Sequence, residues 1–339
     1  MLRQPRPVIS LLKPHFAGVI NNFLHVSKRQ IGRINETYNP IGESNRVNRQ
    51  PKMNGATKTN MATQQEKALR LLQLHRGESP LVLVNAWDAA SARIVESEGY
   101  PAVATGSAGV AFALGFTDGQ KLPWPEMLSA IQRIASAVQA PLTADIESGF
   151  SSTEEHLREV IASVIAAGAV GINLEDALPH QGEHGPLYPL AEQISRIRAA
   201  RESAERAGVH LVINARTDAY WQKGVPAAEA MRNTLERGKA YLAAGADCIF
   251  IPGLKDRDHI RAIVDELKAP VNILAVAGAP SIEELKKLGV KRISMGSGPM
   301  RAAMGLLRRI AREAKSKGTY TSMLEDTIPY ADMMAIMSG

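Results

Sequence analysis

The sequence has a single cysteine in 339 residues, Cys248, and therefore no internal disulfide. A chain without disulfides is typical of a reducing compartment, so we expect a cytoplasmic protein. Cys248 lies inside the short apolar run 248–251, which favours a buried structural thiol over a nucleophile. No apolar run approaches the roughly 18 residues that a membrane-spanning helix needs, and this argues against a membrane protein.

The formal net charge of +6 is concentrated near the start of the chain. Residues 1–60 contain ten Lys and Arg but only two Glu, whereas residues 61–339 hold 30 basic and 32 acidic side chains. We therefore expect no nucleic-acid partner for the folded body. Residues 1–60 lack a sustained apolar period and are predicted to be a disordered basic extension. The alternatives are a targeting or nucleic-acid-binding arm, or translation that begins at Met61.

From residue 61 to residue 317, short apolar runs alternate with longer amphipathic segments. The runs are continuously apolar, as is typical of parallel strands buried on both faces. Eight such strands, each followed by a helix over about 255 residues in all, predict an α/β fold of the (β/α)8 TIM-barrel type. A doubly wound open sheet is the main alternative. No G-x-G-x-x-G follows the first strand, which argues against a dinucleotide-binding fold.

The last segment, residues 318–339, is unusually apolar for a chain end. Its apolar side chains are Met323, Leu324, Ile328, Tyr330, Met333, Met334, Ile336 and Met337. Because so much apolar surface is unfavourable in water, we predict a helical segment that packs on the barrel or on a neighbouring subunit.

Four carboxylates fall at or just after the ends of predicted strands: Asp118, Asp145, Glu147 and Glu175. In a barrel the carboxyl ends of the strands meet at one mouth, where active sites form. Asp145 and Glu147 are two residues apart, so on a strand they point to the same side. Carboxylate oxygens that converge there suit Mg²⁺ or Mn²⁺. Each residue alone could be a helix cap or a surface charge, but four on adjacent strands favour a metal site.

Arg216 ends the next predicted strand. An unpaired charge near a barrel interior is costly. A fixed guanidinium there suits the bidentate capture of a carboxylate or phosphoryl group, so Arg216 is predicted to bind the substrate. The alternative is a structural salt bridge to Asp218 or Glu175. Asp218 itself, like Asp176, is interpreted as a cap of the segment that follows it.

The segment 105–109, Thr-Gly-Ser-Ala-Gly, follows the second predicted strand. Its small side chains would let backbone N–H groups approach an anion closely, as in a nest. Tight turns in a barrel favour the same residues, so this motif alone is a weak signal.

Together these segments resemble the isocitrate lyase/phosphoenolpyruvate mutase superfamily. The stretches that carry the resemblance are NAWDAASAR at 85–93, TGSAGVA at 105–111, ADIESGF at 144–150, GINLED at 171–176 and NARTDA at 214–219. The likeness extends from about residue 63 to about residue 315. It implies a Mg²⁺-dependent barrel that acts on small 2-oxo or 2-hydroxy acids, usually as a homotetramer with helices exchanged between neighbours.

The resemblance also implies a role for each site residue. Asp145 would be the direct metal ligand. The residues that would hold metal-bound waters are Asp118, Glu147 and Glu175. The backbone amides of Ser107 and Ala108 would bind the substrate carboxylate, and Arg216 would bind the substrate anion.

One loop departs from the family pattern. The family's lyases carry a Lys-Arg-Cys-Gly-His lid after the fourth strand, whose cysteine is the general acid, whereas residues 177–188 here read ALPHQGEHGPLY. The Lys-Thr-Asn lid of the phosphonate mutases is missing too. His180, His184 and Tyr188 could donate a proton from this loop, and we predict His180 and His184 as catalytic residues beside Arg216. A solvated loop histidine is the simpler alternative.

These expectations favour a Mg²⁺-dependent carbon–carbon lyase of the isocitrate/methylisocitrate lyase type, acting on a small 2-hydroxy di- or tricarboxylate through an enolate-like intermediate. The alternative is a phosphonate enzyme, either a phosphoenolpyruvate or carboxyphosphonoenolpyruvate mutase or a phosphonopyruvate hydrolase, that uses the same metal site on a C–P bond. A non-catalytic barrel is a third interpretation, but four carboxylates and Arg216 at one mouth argue against an inactive site.

Overall fold

The structure is a computed structural model that describes residues 63–179 and 185–339. All of them belong to one compact unit. The predicted basic extension at 1–60, the alternative start at Met61 and the candidate proton donors His180 and His184 lie outside the described residues.

The described residues form nine strands and twelve helices. The strands are β1 (Leu81–Leu83), β2 (Asn85–Ala86), β3 (Val103–Thr105), β4 (Leu142–Asp145), β5 (Gly171–Glu175), β6 (Val212–Arg216), β7 (Cys248–Ile251), β8 (Val271–Leu274) and β9 (Arg292–Ser294). The helices are α1 (Gln64–Leu74), α2 (Ala89–Ser97), α3 (Ser107–Ala113), α4 (Trp124–Ala137), α5 (Glu154–Ala166), α6 (Leu190–Arg206), α7 (Ala227–Ala243), α8 (Arg257–Leu267), α9 (Ile282–Lys287), α10 (Gly298–Lys317), α11 (Thr321–Leu324) and α12 (Tyr330–Ser338).

The nine strands are parallel and make one sheet in the order β1-β9-β8-β7-β6-β5-β4-β3-β2. Only Val84 separates β1 from β2, yet β1 pairs with β9 and β2 pairs with β3. The two are halves of one interrupted strand, which brings the ends of the sheet together. The result is a nearly closed barrel of eight strands, and the predicted TIM-barrel fold is confirmed. Exchange of helices between subunits stays a prediction.

The strands take their place because both of their faces are buried. Residues such as Ala144, Ile172 and Ile213 are fully inaccessible to solvent. One side of each strand faces the barrel interior and the other packs against the helices. The continuous apolar runs of the sequence reflect this two-sided burial.

The segment after β3 differs from the expected irregular nest. Residues from Ser107 to Ala113 form α3, with Gly106 as the residue that precedes its first turn. The small side chains serve close packing, since a Cβ added at Gly109 would lie 3.2 Å from the Cβ of Trp87. The anion-binding geometry expected from a nest is thus replaced by the first turn of a short helix, whose N–H groups have no carbonyl partner within the helix.

The last helices lie on the outside of the barrel. Helix α12 packs on α2, where Arg93 Nη1 donates to the carbonyl oxygens of Ile336 at 3.2 Å and Met337 at 2.5 Å. Many apolar side chains of α10 to α12 remain exposed to solvent. They are Met304, Leu306, Leu307, Tyr320, Met323, Leu324, Ile328, Tyr330 and Met334. Within the described parts of the chain, no helix has the length and apolar character needed to cross a membrane.

Candidate active site at the carboxyl ends of the strands

A cavity of about 580 Å³ opens at the carboxyl ends of the strands. The predicted site residues that line it are Ser107, Ala108, Asp118, Asp145, Glu147, Glu175 and Arg216. The fold thus brings together every predicted metal and substrate residue, all of which belong to the described part of the chain. A larger groove of about 810 Å³ lies elsewhere, between α1, the start of β1 and the end of α2. It contains none of these groups.

Asp145 ends β4 and is 8% exposed. Its carboxylate accepts hydrogen bonds on both oxygens, from the Ser107 amide at 3.2 Å and from the Glu147 amide at 3.2 Å. The Asp145 amide in turn donates to Thr105 Oγ1 on the neighbouring strand at 2.9 Å. Backbone contacts from two adjacent strand ends therefore fix this carboxylate at the wall of the cavity.

Glu147 occupies a backbone conformation that side chains rarely adopt. Its φ is +51°, in the left-handed region, although it is not glycine and is almost fully buried. The Gln120 amide donates to Glu147 Oε2 at 2.7 Å. Burial, together with the charges of Asp118 and Asp145, raises the pKa of Glu147 to about 8. Local strain and a displaced pKa at one buried residue are typical of functional sites.

Asp118 lies on the loop that follows α3, facing the other acids. Its Oδ1 atom is buried and has no hydrogen-bond partner in the described structure. Burial and the charge of Asp145 raise the pKa of the Asp118 carboxyl. A buried carboxylate oxygen without a hydrogen-bond partner, near another acid, is a group that a bound cation would satisfy.

Arg216 ends β6 and is held by two carboxylates. Its Nε donates to Asp218 Oδ1 at 2.6 Å, its Nη2 donates to Asp218 Oδ2 at 2.8 Å, and its Nη1 lies 2.7 Å from Glu175 Oε2. Burial alone would lower the pKa of Arg216, but Asp218 and Glu175 outweigh burial and raise it. The guanidinium also lies over the rings of Trp221 and Phe250, at 4.9 and 5.9 Å from their centres.

Ser107 and Ala108 lie in the first turn of α3, at the cavity wall. The Ser107 amide donates to Asp145, so it supports the acid in this structure. The Ala108 amide belongs to the same first turn, whose N–H groups must find acceptors outside the helix.

Tyr188 is not part of the cavity. It is 5% exposed, its ring lies 4.5 Å from the Arg196 guanidinium, and its amide donates to the Asp176 carbonyl at 2.7 Å. Of the three loop residues considered as proton donors, Tyr188 is thus placed away from the site, while His180 and His184 lie outside the described residues.

The two aspartates that were interpreted as caps have other roles in the structure. Asp218 is the bidentate partner of Arg216, which is the salt bridge that the sequence offered as the alternative for that arginine. Asp176 is fully buried and accepts hydrogen bonds from Tyr241 at 2.8 Å, from Arg237 at 3.2 Å and from the Asp218 amide at 2.9 Å. The spacing of Arg216 and Asp218, two residues apart at a strand end, was the signal available for the first role.

The carboxylate oxygens at the cavity fit a hard divalent cation. No group of three or more His, Cys, Asp or Glu among the described residues is arranged to close directly around an ion. Mg²⁺ does not require such a group, because it keeps several waters and commonly takes one or two carboxylates. Asp145 at the wall, the orphaned oxygen of Asp118 and the displaced pKa of Glu147 supply that kind of oxygen-rich surrounding.

The sequence profile described as phosphoenolpyruvate phosphomutase matches residues 71–315. The 2-methylisocitrate lyase of Shewanella oneidensis is 30% identical over 278 residues, which cover 79% of this chain and 92% of the relative. The oxaloacetate decarboxylase of Paraburkholderia xenovorans is 33% identical over 216 residues, which cover 62% of this chain and 68% of the relative. A crystal structure of a candidate phosphonomutase from Burkholderia cenocepacia has a TM-score of 0.70 and 41% sequence identity, and covers 74% of this chain and all of the other.

The names of these three relatives are those of a lyase, a decarboxylase and a candidate mutase, and the candidate mutase also matches the fold. The profile match alone spans more than half of the chain. The chain therefore belongs to the phosphoenolpyruvate mutase family, within the isocitrate lyase/phosphoenolpyruvate mutase superfamily.

Proposed function

We propose that this protein is a Mg²⁺-dependent carbon–carbon lyase of the isocitrate/methylisocitrate lyase type, acting on a small 2-hydroxy di- or tricarboxylate. One observation carries the metal half of this proposal. Asp118, Asp145 and Glu147 are crowded together and repel one another, with the pKa of Glu147 raised to about 8. A cation is the partner that makes such a cluster favourable.

Asp145 would hold the ion directly, and Asp118, Glu147 and Glu175 would hold water molecules around it. When bound, Mg²⁺ supplies positive charge that stabilises the enolate-like character developing during C–C cleavage, and Mn²⁺ can supply the same charge. The residues of the chain orient the substrate. The first turn of α3 offers the Ala108 amide to a carboxylate, and Arg216 offers the N–H groups that Asp218 and Glu175 leave unused.

The proton donor remains His180 or His184 in this proposal. Cys248, the lone thiol, is fully buried in β7 and is not among the residues that line the cavity, so it cannot reach a substrate there. Each histidine can be replaced singly by glutamine. Loss of turnover with unchanged Mg²⁺ affinity in one variant would identify the donor.

The second candidate is a phosphonate enzyme, and the 41% identity to the candidate phosphonomutase favours keeping it. A direct test incubates the purified protein and Mg²⁺ separately with isocitrate, methylisocitrate, oxaloacetate and phosphonopyruvate, with a chelator-treated control. Release of glyoxylate or pyruvate from the 2-hydroxy acids, without phosphate, supports the lyase. Release of phosphate from phosphonopyruvate, with no cleavage of the 2-hydroxy acids, would overturn it in favour of a phosphonopyruvate hydrolase. Because a mutase releases no phosphate, isomerisation between phosphonopyruvate and phosphoenolpyruvate is followed as well.

We also propose that the protein is a cytoplasmic homotetramer. The exposed apolar side chains of α10 to α12 form a surface that another copy of the chain could cover. Light scattering after size-exclusion chromatography gives the assembly mass. Leu307→Glu, at a side chain that is 57% exposed, is expected to lower that mass, whereas a wild-type protein that is monomeric would contradict the proposal.

A further inference from the structure

The described residues that line the cavity carry an uneven set of charges. The acids are Asp118, Asp145, Glu147, Glu175 and Asp218, and the cations are Arg216 and Arg301. A divalent ion would offset only part of this excess of negative charge. A substrate with two or three carboxylates therefore needs a further cation that the protein has not already neutralised.

Arg216 does not meet that need. Two carboxylates contact its guanidinium, and three of its five N–H groups are directed to them. Its positive charge is thus balanced within the protein before a substrate arrives. It retains donors for orienting a substrate, but its field does not favour an additional anion.

Arg301 differs from Arg216 in each of these respects. It lies in the first turn of α10, where its amide donates to the Ser297 carbonyl at 3.0 Å, and its side chain is exposed at the cavity. No acidic side chain of the described residues forms an ion pair with it. Among the described residues lining the cavity, Arg301 is the cation whose charge is not offset.

The topology places Arg301 across the mouth from Glu175. Glu175 ends β5, the fourth strand around the barrel when β1 and β2 are counted as one. Arg301 follows β9, the eighth strand, which pairs with β8 and β1. In an eight-stranded ring the fourth and eighth strands face each other across the mouth. A substrate held at one end by the acidic site would extend its other end toward Arg301.

We infer that Arg301 binds the remote carboxylate of the substrate and selects dicarboxylates over monocarboxylates. This inference rests on the proposed function, and it assigns the remote carboxylate to Arg301 rather than to Arg216, which the sequence analysis predicted to bind the substrate anion. Arg301 is a specificity-determining residue in this view. The acids and Arg216 act on the reacting end of the substrate.

Calorimetric titrations with two 2-oxo acids, in excess Mg²⁺, test the assignment. Pyruvate has one carboxylate, and 2-oxoglutarate adds a second at the remote end. Wild-type protein is expected to bind 2-oxoglutarate the more tightly. Arg301→Gln is expected to lower the affinity for 2-oxoglutarate by about tenfold, because it removes a charge-assisted contact to one carboxylate. The affinity for pyruvate should change by no more than about twofold. Arg301→Lys should restore most of the loss.

The control variant is Arg308→Gln, an exposed arginine of the same helix that lines a different groove. It should change neither affinity. Equal weakening of both acids in Arg301→Gln, or no weakening of either, would overturn the role of Arg301 while leaving the proposed function standing. If wild-type protein binds neither acid in Mg²⁺, the proposed function itself fails, and the inference fails with it.

Discussion

Two arginines of this barrel lie in opposite electrostatic surroundings. Arg216 lies at the mouth, where the strands end, and Arg292 lies at the start of β9, in the part of the interior near the amino ends of the strands that we call the floor. At the mouth, Arg216 contacts Asp218 and Glu175, and its pKa is raised. At the floor, Arg292 is fully buried and its Nη2 donates to Asn173 Oδ1 at 3.1 Å, while Nη1 lies 3.5 Å from His75 Nε2. Burial lowers the pKa of Arg292 to about 10, although Cys248 and Asp145 oppose this.

The partners at the floor stay neutral. Burial, followed by the charge of Arg292, lowers the pKa of His75 to about 4, so the imidazole is uncharged near neutral pH. Asn173 is shared between Arg292 and Asn214, whose Nδ2 lies 2.7 Å from the same oxygen. The comparison shows that burial alone does not mark a metal site. A metal site is distinguished by an excess of acidic side chains. The mouth has such an excess, and the described residues of the floor do not.

The largest expected effect compares the two arginines directly. Without Mg²⁺, Arg216→Met should lower the free energy of unfolding by about 3–5 kcal/mol, because it leaves two buried carboxylates without a cation. Arg292→Met removes a cation that contacts no carboxylate in the described structure, and should cost at most about 1 kcal/mol. Urea unfolding followed by circular dichroism, at one protein concentration, measures both. Equal losses of unfolding free energy in the two variants would show that the two arginines do not differ as proposed.

The second prediction concerns how the acids at the mouth make the free energy of unfolding depend on pH. The folded pKa of Glu147 is about 8, above its ordinary value of 4.5, so the folded state holds this proton more tightly than the unfolded chain. Without metal, in the presence of a chelator, the protonated Glu147 makes its full contribution to the free energy of unfolding below pH 4.5. This contribution is lost as the pH rises to 8, by up to about 1.4 kcal/mol per pH unit. Urea unfolding at a series of pH values measures this slope.

Glu147→Gln should reduce that slope, since its side chain no longer titrates. Glu205→Gln, at an exposed position of α6, is the matched control and should leave the slope unchanged. Saturating Mg²⁺ should also reduce the slope in the wild type. A slope that is identical in all of these samples would show that Glu147 does not titrate as its surroundings require.

The smallest expected effect concerns the access of a thiol reagent to Cys248 at the floor. Cys248 is completely buried beside Arg292, and burial raises its pKa to about 12. A thiol reagent at pH 8 should therefore label native protein only as fast as the chain opens, and should label denatured protein at once. Absorbance of the released chromophore follows the reaction. Immediate labelling of native protein would mean that the floor admits solvent.

Much of the fold was accessible from sequence, because parallel strands buried on both faces leave short, mostly apolar runs such as 142–146 and 211–215. The strand-end position of Asp145, Glu175 and Arg216 also followed from those runs. The expectation that Glu147 continues the same strand was wrong, because β4 ends at Asp145 and Glu147 has a left-handed backbone conformation. Which residues face one cavity could be predicted, since the topology of a barrel determines it. Their chemical roles remain predictions.

Other features depend on contacts that no local pattern shows. The division of the first strand at Val84 depends on pairing with β9 and β3, which lie far apart in sequence. The sequence leaves Asp218 open between a cap and a partner of Arg216, because side-chain geometry decides which contact it makes. Arg301 and Arg292 follow no periodic pattern that separates a cavity or core residue from a surface one. Long-range packing decides each of these.

The central claim is that the acids at the mouth form a metal site. Titration calorimetry of Mg²⁺ into metal-free wild type, Asp145→Ala and the exposed control Asp258→Ala tests it most directly. The wild type and the control should bind one ion per chain. Asp145→Ala should lose at least about 100-fold in affinity, since loss of a direct ligand should cost no less than loss of an outer-shell partner, with its circular dichroism unchanged. Unchanged affinity in Asp145→Ala, or no binding in the wild type, would contradict the account.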